Sequence, residues 1–197
     1  MKRGATREEI IRTTQEFIAR NGIRAVRVDE IAQTLGISKR TLYEMFTDKN
    51  DLISACLDAM SRQQQEQIVA CRKRRSGNPL QKTVRLMNEY IENLYRVDHS
   101  FLSDLRRKVI FAEHYDEHRG FWHKELTMLL DMCRKQELLL PEIDAAAFAE
   151  QLMGTLLDLR LNGTSREELS LFGRTILRGA ATRQGIELID RRPGSPQ

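Results

Sequence analysis

An all-α fold is predicted from the residue usage, the spacing of apolar residues and the breaks between helical stretches. The 197 residues include only four prolines, with 41% hydrophobic and 30% charged residues, which is typical of a globular protein. Apolar residues recur at helical spacing through most of the chain, and β-branched runs are few. We therefore expect a small N-terminal domain of three helices followed by a C-terminal helical bundle.

The first helix is predicted to begin at Thr6, because Thr6 and Glu9 have the spacing of a capping box. It is expected to end at Asn21-Gly22 and to bury four residues: Ile10, Thr14, Phe17 and Ile18. The preceding residues include Lys2 and Arg3 and form either a basic arm that contacts DNA or a disordered start.

Residues 28–52, VDEIAQTLGISKRTLYEMFTDKNDL, predict two short helices joined by a tight turn and followed by a third helix. Gly36 suits the left-handed conformation that ends a helix, and Ser38 suits the N-cap of the next. Each helix has one apolar face at helical spacing, formed by Ile31, Ala32 and Leu35 in the first and by Leu42, Met45 and Phe46 in the second. This arrangement is typical of a helix-turn-helix.

The second of these helices leaves a polar, basic face exposed. Lys39, Arg40 and Thr41 fall in its first turn, and Tyr43 lies one turn after Lys39. In a docked helix-turn-helix, the N-terminal residues of this helix contact base edges in the major groove. The alternative is a solvated basic turn on an ordinary helical pair.

The same segment resembles a known family. Residues 36–43, GISKRTLY, with Phe46, Lys49 and Leu52, are similar to the signature of TetR-type transcriptional regulators, and Ile31-Ala32 and residues 6–22 agree with it. The resemblance covers the first quarter of the chain. It implies a DNA-binding set: Ser38, Lys39, Arg40, Thr41, Tyr43 and Lys49. The sequence departs from the family pattern at Asp29, Glu44 and Met45, and two of these residues are acidic.

We expect four regions along the chain: a helix-turn-helix DNA-binding domain at 1–50, a connecting helix at 51–76, a ligand-sensing and dimerisation domain at 77–184 and a flexible tail at 185–197. Asp48 suits the cap of the connecting helix, and Asn78-Pro79 suits the start of the next one. The basic cluster at 72–75 is either a favourable helix end or a second patch for DNA or membrane.

The domain at 77–184 contains candidate residues for two further sites. Aromatic and Met residues at helical spacing are either ordinary core or the lining of a ligand pocket, and the candidates are Phe101, Phe111, Tyr115, Trp122, Met128 and Met153. Two apolar helices capped by Asp144 and by Ser165 either close the core of the monomer or form a four-helix dimer interface. The resemblance implies the second arrangement, with Leu152, Leu156, Leu159, Leu169, Phe172 and Ile176 at the interface.

Composition indicates the broad class of protein. The formal net charge is +4, and residues 1–50 hold ten Lys and Arg against seven Asp and Glu, so most of the excess lies beside the helix-turn-helix. Three dispersed cysteines, no secretory signal and no apolar run of membrane-spanning length favour a reduced, cytoplasmic setting. We expect no cofactor and no catalytic residues, since no phosphate-binding loop, GxSxG or HExxH motif is present.

The sequence and the resemblance together predict a homodimeric transcriptional regulator that binds an operator in double-stranded DNA. The resemblance favours a repressor that is released by a small-molecule effector, although the sequence alone does not distinguish a repressor from an activator. One alternative is a helical protein-interaction module whose helix-turn-helix no longer binds DNA, for which Asp29 and Glu44 are the main arguments. Another is a metal-dependent enzyme or sensor that uses His114 and His118, which lie four residues apart and would share a helix face.

Overall fold

The computed structural model describes residues 4–73, 77–107 and 109–190. Within these ranges the regular structure is helical, apart from one antiparallel bridge between Leu139 and Ala181, so the all-α prediction is confirmed. None of the described helices is long and apolar enough to cross a membrane. The helices are α1 (Arg7–Ala25), α2 (Val28–Leu35), α3 (Lys39–Met45), α4 (Lys49–Lys73), α5 (Pro79–Tyr95), α6 (His99–Arg107), a 3₁₀ turn (Val109–Phe111), α7 (Ala112–Lys135), α8 (Ala145–Leu161), α9 (Arg166–Gly179) and α10 (Arg183–Asp190).

The chain divides into two compact units. The N-terminal unit comprises residues 1–67 and 96–118, and the C-terminal unit comprises residues 68–95 and 119–197. Helix α6 therefore packs within the N-terminal unit, although α5, which precedes it in the chain, belongs to the C-terminal unit. The domain boundaries that the sequence motifs indicate at residues 50 and 76 remain predictions.

Helix α1 begins with the predicted capping box. The Thr6 hydroxyl accepts from the Glu9 backbone N–H at 3.2 Å, and the Glu9 carboxylate accepts from the Thr6 N–H at 2.7 Å. The predicted stop at Asn21-Gly22 appears as a break inside α1, where Gly22 has φ 78° and ψ 171°. A side chain is strongly disfavoured in this conformation. A Cβ at this position would also lie 2.6 Å from Ser100 Oγ.

Replacing Gly22 with alanine is expected to lower the free energy of unfolding by about 1–3 kcal/mol, the usual cost of such a backbone conformation in a residue with a side chain. Denaturant unfolding would measure the change. Gly120→Ala is the matched control, because Gly120 is exposed within α7 and a Cβ there would meet no atom within 4 Å. The control should be neutral or slightly stabilising, and an equal loss in both variants would contradict the assignment of strain to Gly22.

The core of the N-terminal unit joins its two chain segments. Its buried members come from α1, α2, α3, α4 and the segment 96–118, and they include Ile10, Ile18, Ile31, Leu42, Phe46, Leu52, Ile53, Phe101, Leu105 and Phe111. Helix α6 is tied to the end of α1 by Asp104, which is buried and accepts from the Arg24 backbone N–H at 3.0 Å while its other oxygen lies 2.8 Å from Arg24 Nε. Burial raises the pKa of the Cys56 thiol to about 12, so Cys56 is a neutral core residue.

The C-terminal unit is a helical bundle whose helices begin at the predicted caps. The Asn78 side chain accepts from Gln81 N–H at 2.9 Å and caps α5, and Asp144 accepts from Ala147 N–H at 2.7 Å and caps α8. Ser165 opens α9 with a complete capping box. The buried side chains of this unit include Leu80, Met87, Ile91, Trp122, Leu130, Cys133, Leu156, Leu169 and Leu177.

Two local expectations differ from the structure or lie beyond it. Residues 185–190, expected to start a loose tail, belong to α10, which is held by Arg174 donating to the Ile189 carbonyl at 2.6 Å and by an Arg178–Asp190 ion pair. The buried side chain of Ile189 explains why this segment is ordered as a helix. The basic arm at Lys2 and Arg3, the side chains of the cluster at 72–75 and the rest of the tail at 191–197 lie outside the described residues.

Candidate nucleic-acid interface

Helices α2 and α3 with the turn between them form the predicted helix-turn-helix. Gly36 ends α2 in the left-handed conformation, with φ 65° and ψ 31°. The next residue, Ile37, donates its backbone N–H to the Ala32 carbonyl at 3.0 Å, which closes the turn. Leu42 and Phe46 are almost fully buried, so they anchor α3 and leave its other face toward solvent.

Ser38 and Thr41 fix the start of α3. The Ser38 hydroxyl accepts from the Thr41 backbone N–H at 3.0 Å, and the two side-chain hydroxyls lie 2.9 Å apart. Ser38 therefore has the predicted capping role. Thr41 is half-buried, whereas Ser38 is exposed. Both residues of the predicted DNA-binding set thus have a structural role in the turn.

The two cations of the predicted set that lie on α3 are each paired with a carboxylate of the same surface. Lys39 Nζ lies 2.6 Å from Asp29 Oδ1 on α2, and Arg40 Nε donates to Glu44 Oε1 at 3.2 Å, one turn along α3. All four side chains are more than half exposed. These acidic residues are the ones by which the sequence departs from the family pattern. Their positions leave the surface with two neutralised ion pairs instead of two isolated positive charges.

The remaining predicted residues lie on either side of these pairs. Tyr43 is 45% exposed on α3, and Lys49, at the start of α4, is half-buried. Met45 was expected on the buried face of α3 but is 37% exposed, because Leu42 and Phe46 already occupy the positions that point into the core. The exposed surface of α3 therefore consists of Lys39, Arg40, Tyr43, Glu44 and Met45.

The sequence motifs identify all four of these residues but do not predict that Asp29 pairs with Lys39 or that Glu44 pairs with Arg40. The i, i+4 spacing of Arg40 and Glu44 could have revealed one pair, since oppositely charged side chains at this spacing meet on a helix surface. The Asp29–Lys39 pair joins two helices, so it depends on how α2 and α3 cross and could not be read from spacing alone.

The candidate pocket residues fall in different places. Phe101 and Phe111 are buried in the core of the N-terminal unit, with Tyr115 packed against that core. Trp122 and Met153 come together in the C-terminal unit, where they line a cavity of about 10 Å³, room for about one water molecule. Met128 is 37% exposed on α7 and lies outside that cavity.

An aromatic pair forms one wall of this cavity. The rings of Tyr90 and Trp122 meet edge to face, with centroids 5.2 Å apart, and the Tyr90 hydroxyl donates to the Met153 carbonyl at 3.3 Å. The other lining residues are apolar: Leu86, Met87, Leu126, Leu152 and Leu156. The cavity offers an apolar surface with two flexible methionine side chains.

The candidate dimer residues divide by exposure. Leu152, Leu156 and Leu169 are buried inside the C-terminal unit, as in the alternative in which these helices close the monomer's own core. Leu159 and Phe172 are half-buried, and Ile176 is 36% exposed. Leu171, which is not among the predicted interface residues, is 67% exposed on α9.

The two histidines considered as metal ligands have different surroundings. His114 Nδ1 lies 3.1 Å from Asp58 Oδ1 on α4. Burial lowers the pKa of His118 to about 4, so this imidazole is neutral at physiological pH. Across the described ranges, no group of three or more His, Cys, Asp or Glu side chains is placed to hold a metal ion.

Comparison with known proteins places the helix-turn-helix in a family. Residues 10–56 match the model for bacterial regulatory proteins of the tetR family. Two HTH-type transcriptional regulators without a characterised role, from two strains of Mycobacterium tuberculosis, are each 47% identical to this chain over 51 residues. The match covers 26% of this chain and spans only 21% of the length of each relative.

Solved structures agree with the fold over most of the chain. A transcriptional regulator from Saccharomonospora viridis, solved in complex with choline, superposes with a TM-score of 0.78 at 20% identity, over 90% of this chain and 98% of its own. A TetR-family regulator from Agrobacterium tumefaciens gives 0.75 at 17% identity, over 89% and 97%. The family likeness therefore covers residues 10–56, and the likeness to the solved structures extends over most of the chain at the level of the fold.

Proposed function

We propose that this protein is a sequence-specific DNA-binding transcriptional regulator rather than an enzyme, and that it acts in the cytoplasm as a repressor released by a small molecule. The main support is the arrangement of α2, Gly36 and α3. It anchors Leu42 and Phe46 in a core and presents Lys39, Arg40 and Tyr43 on one exposed surface. Such a helix enters the major groove, where its first residues contact base edges.

A homodimer would place two copies of α3 on one operator. Half-sites one DNA turn apart need reading helices separated by roughly 34–36 Å. Effector binding that favours a different separation would lower DNA affinity through its differential affinity for the two states. We propose the apolar cavity at Tyr90, Trp122 and Met153 as the effector site. Because it holds only about 10 Å³, a ligand must displace side chains there, and methionine adapts more easily than branched residues.

The function is tested by binding of the purified protein to the DNA upstream of its own gene and to a scrambled fragment, across a salt series. A preference for the upstream fragment that persists as the salt concentration rises would support sequence-specific recognition. Equal affinity with a steep salt dependence would indicate phosphate contacts only. Absence of binding at low salt would favour a helical interaction module instead.

Dimerisation is proposed to use the outward faces of α8 and α9 rather than their buried leucines. Changing Leu171 and Ile176 together to glutamate is expected to convert the dimer to monomer, because two charges would have to be buried in an apolar interface. Sedimentation velocity would measure this, and operator affinity should fall in parallel. Leu140→Glu is the control, since Leu140 is 38% exposed but lies outside both helices. If the double variant remained a dimer, the interface would have to be formed by other residues.

A further inference from the structure

Arg40 and Glu44 form an ion pair whose geometry leaves part of the guanidinium open. Arg40 uses its Nε to donate to Glu44 Oε1, and the two side chains are 89% and 60% exposed. Among the described residues, the terminal nitrogens of Arg40 have no polar contact. An exposed pair of this kind adds little to folding stability. In this pair the Nε–H of the guanidinium is directed at Glu44.

That orientation selects what the arginine can bind. A guanidinium has five N–H donors in a rigid plane, and it can bind a two-oxygen or O/N acceptor pair through either its side or its end. With Nε engaged by Glu44, only the end with Nη1 and Nη2 is available. Two parallel N–H donors match the O6 and N7 acceptors of guanine in the major groove.

The carboxylate also changes the attraction of α3 for the phosphate backbone. Glu44 neutralises Arg40, so the pair contributes little to the salt-dependent attraction that drives non-specific binding. A carboxylate at this position therefore weakens binding to DNA of any sequence while favouring a directed contact to a base. Both effects increase the ratio of specific to non-specific affinity.

We propose that Glu44 is a positioning residue that holds Arg40 for end-on recognition of a guanine in each operator half-site. This inference rests on the proposed DNA-binding function and adds to it one base of the recognised sequence and the residue pair that reads it. The neighbouring Lys39–Asp29 pair has no equivalent role, because an ammonium is a rotatable point charge without a fork to orient.

The experiment begins with the full-length protein and a pool of random-sequence duplex DNA, from which the preferred site is enriched. Each guanine of that site is then replaced in turn, and dissociation constants are measured for the wild type, Arg40→Lys, Glu44→Ala and Glu44→Gln. Glutamine carries no charge but can still accept a hydrogen bond from Nε. Alanine carries no charge and cannot accept this hydrogen bond. Asp29→Asn is the matched control, since it removes the other carboxylate of the same surface. Thermal unfolding checks that each variant is folded, as expected for exposed positions.

For the wild type, replacing one particular guanine should weaken binding by about 5- to 150-fold, the range of a good bidentate contact. Arg40→Lys and Glu44→Ala should lose most of this preference at that base pair, and Glu44→Gln should retain it. Both Glu44 variants and Asp29→Asn should bind random DNA more tightly than the wild type, with Asp29→Asn unchanged in its preference for that guanine.

The inference is overturned if Glu44→Ala keeps the full guanine preference, if Glu44→Gln loses as much of it as Glu44→Ala, or if Arg40→Lys alters no base preference. In each case the enriched site itself would still support sequence-specific binding. Failure of the wild type to enrich any sequence from the pool would instead contradict the proposed DNA-binding function. The two failures are therefore distinguishable.

Discussion

Replacing Lys39 and Arg40 together with alanine is expected to abolish operator binding, with a loss of affinity of at least about 100-fold. A bidentate contact between a side chain and a base edge is worth about 1–3 kcal/mol. The loss is enlarged by the carboxylates, since Asp29 and Glu44 would lose their partners and face the DNA as two unpaired negative charges. Fluorescence anisotropy with a labelled operator would measure the change.

A matched variant separates this effect from a general change in charge. Lys124→Ala with Arg183→Ala removes the same two positive charges from exposed positions in the C-terminal unit. It should bind the operator within a few-fold of the wild type at moderate salt, because neither residue belongs to the helix-turn-helix or to the predicted DNA-binding set. Equal losses in the two double variants would show that net charge, rather than the surface of α3, determines DNA affinity.

Phe46→Ala is expected to produce the largest loss of stability, about 3–5 kcal/mol, which is typical of removing a buried aromatic ring. Phe46 is 1% exposed and lies at the end of α3, and the Arg7 guanidinium sits 4.9 Å from its ring centroid. Its removal would leave a cavity under the helix that carries the cations. Denaturant unfolding would give the free energy, and hydrogen exchange would show whether protection is lost in α2 and α3.

The adjacent residue provides the control. Met45 is 37% exposed, so Met45→Ala should change stability by no more than about 0.5 kcal/mol. Phe46→Leu, which keeps an apolar side chain, should cost less than Phe46→Ala. If Met45→Ala and Phe46→Ala were equally destabilising, the buried face of α3 would have been assigned incorrectly.

Features that depend on neighbouring residues in the chain could be predicted from the sequence. The capping boxes at Thr6 and Ser165, the caps at Ser38 and Asp144 and the left-handed Gly36 are all present, because each needs only residues within one helical turn. The turn at 36–38 and the buried anchor Leu42 follow from the same local rules. The helix-turn-helix can therefore be predicted from the sequence alone.

Features that depend on distant residues could not be predicted. Helical spacing identifies an apolar face but not the partner that covers it, so the spacing of Leu152 and Leu169 is compatible with a monomer core as well as with the predicted interface. Likewise Phe101 and Trp122 are both aromatic residues at helical spacing, but the structure places them in different units. The helix at 183–190 mixes polar and apolar residues in both of its turns. Its helical structure is explained by the burial of Ile189, which depends on tertiary packing.

The N-terminal unit is assembled from two separate stretches of chain, and this has a practical consequence for protein engineering. A fragment that stops at residue 67 would lack Phe101, Leu105 and Phe111 and would expose the apolar surface that they cover. It would also lose the carboxylate of Asp104, which fixes the end of α1. A chimeric protein that includes this N-terminal unit must therefore also include residues 96–118, or another segment that covers the same apolar surface.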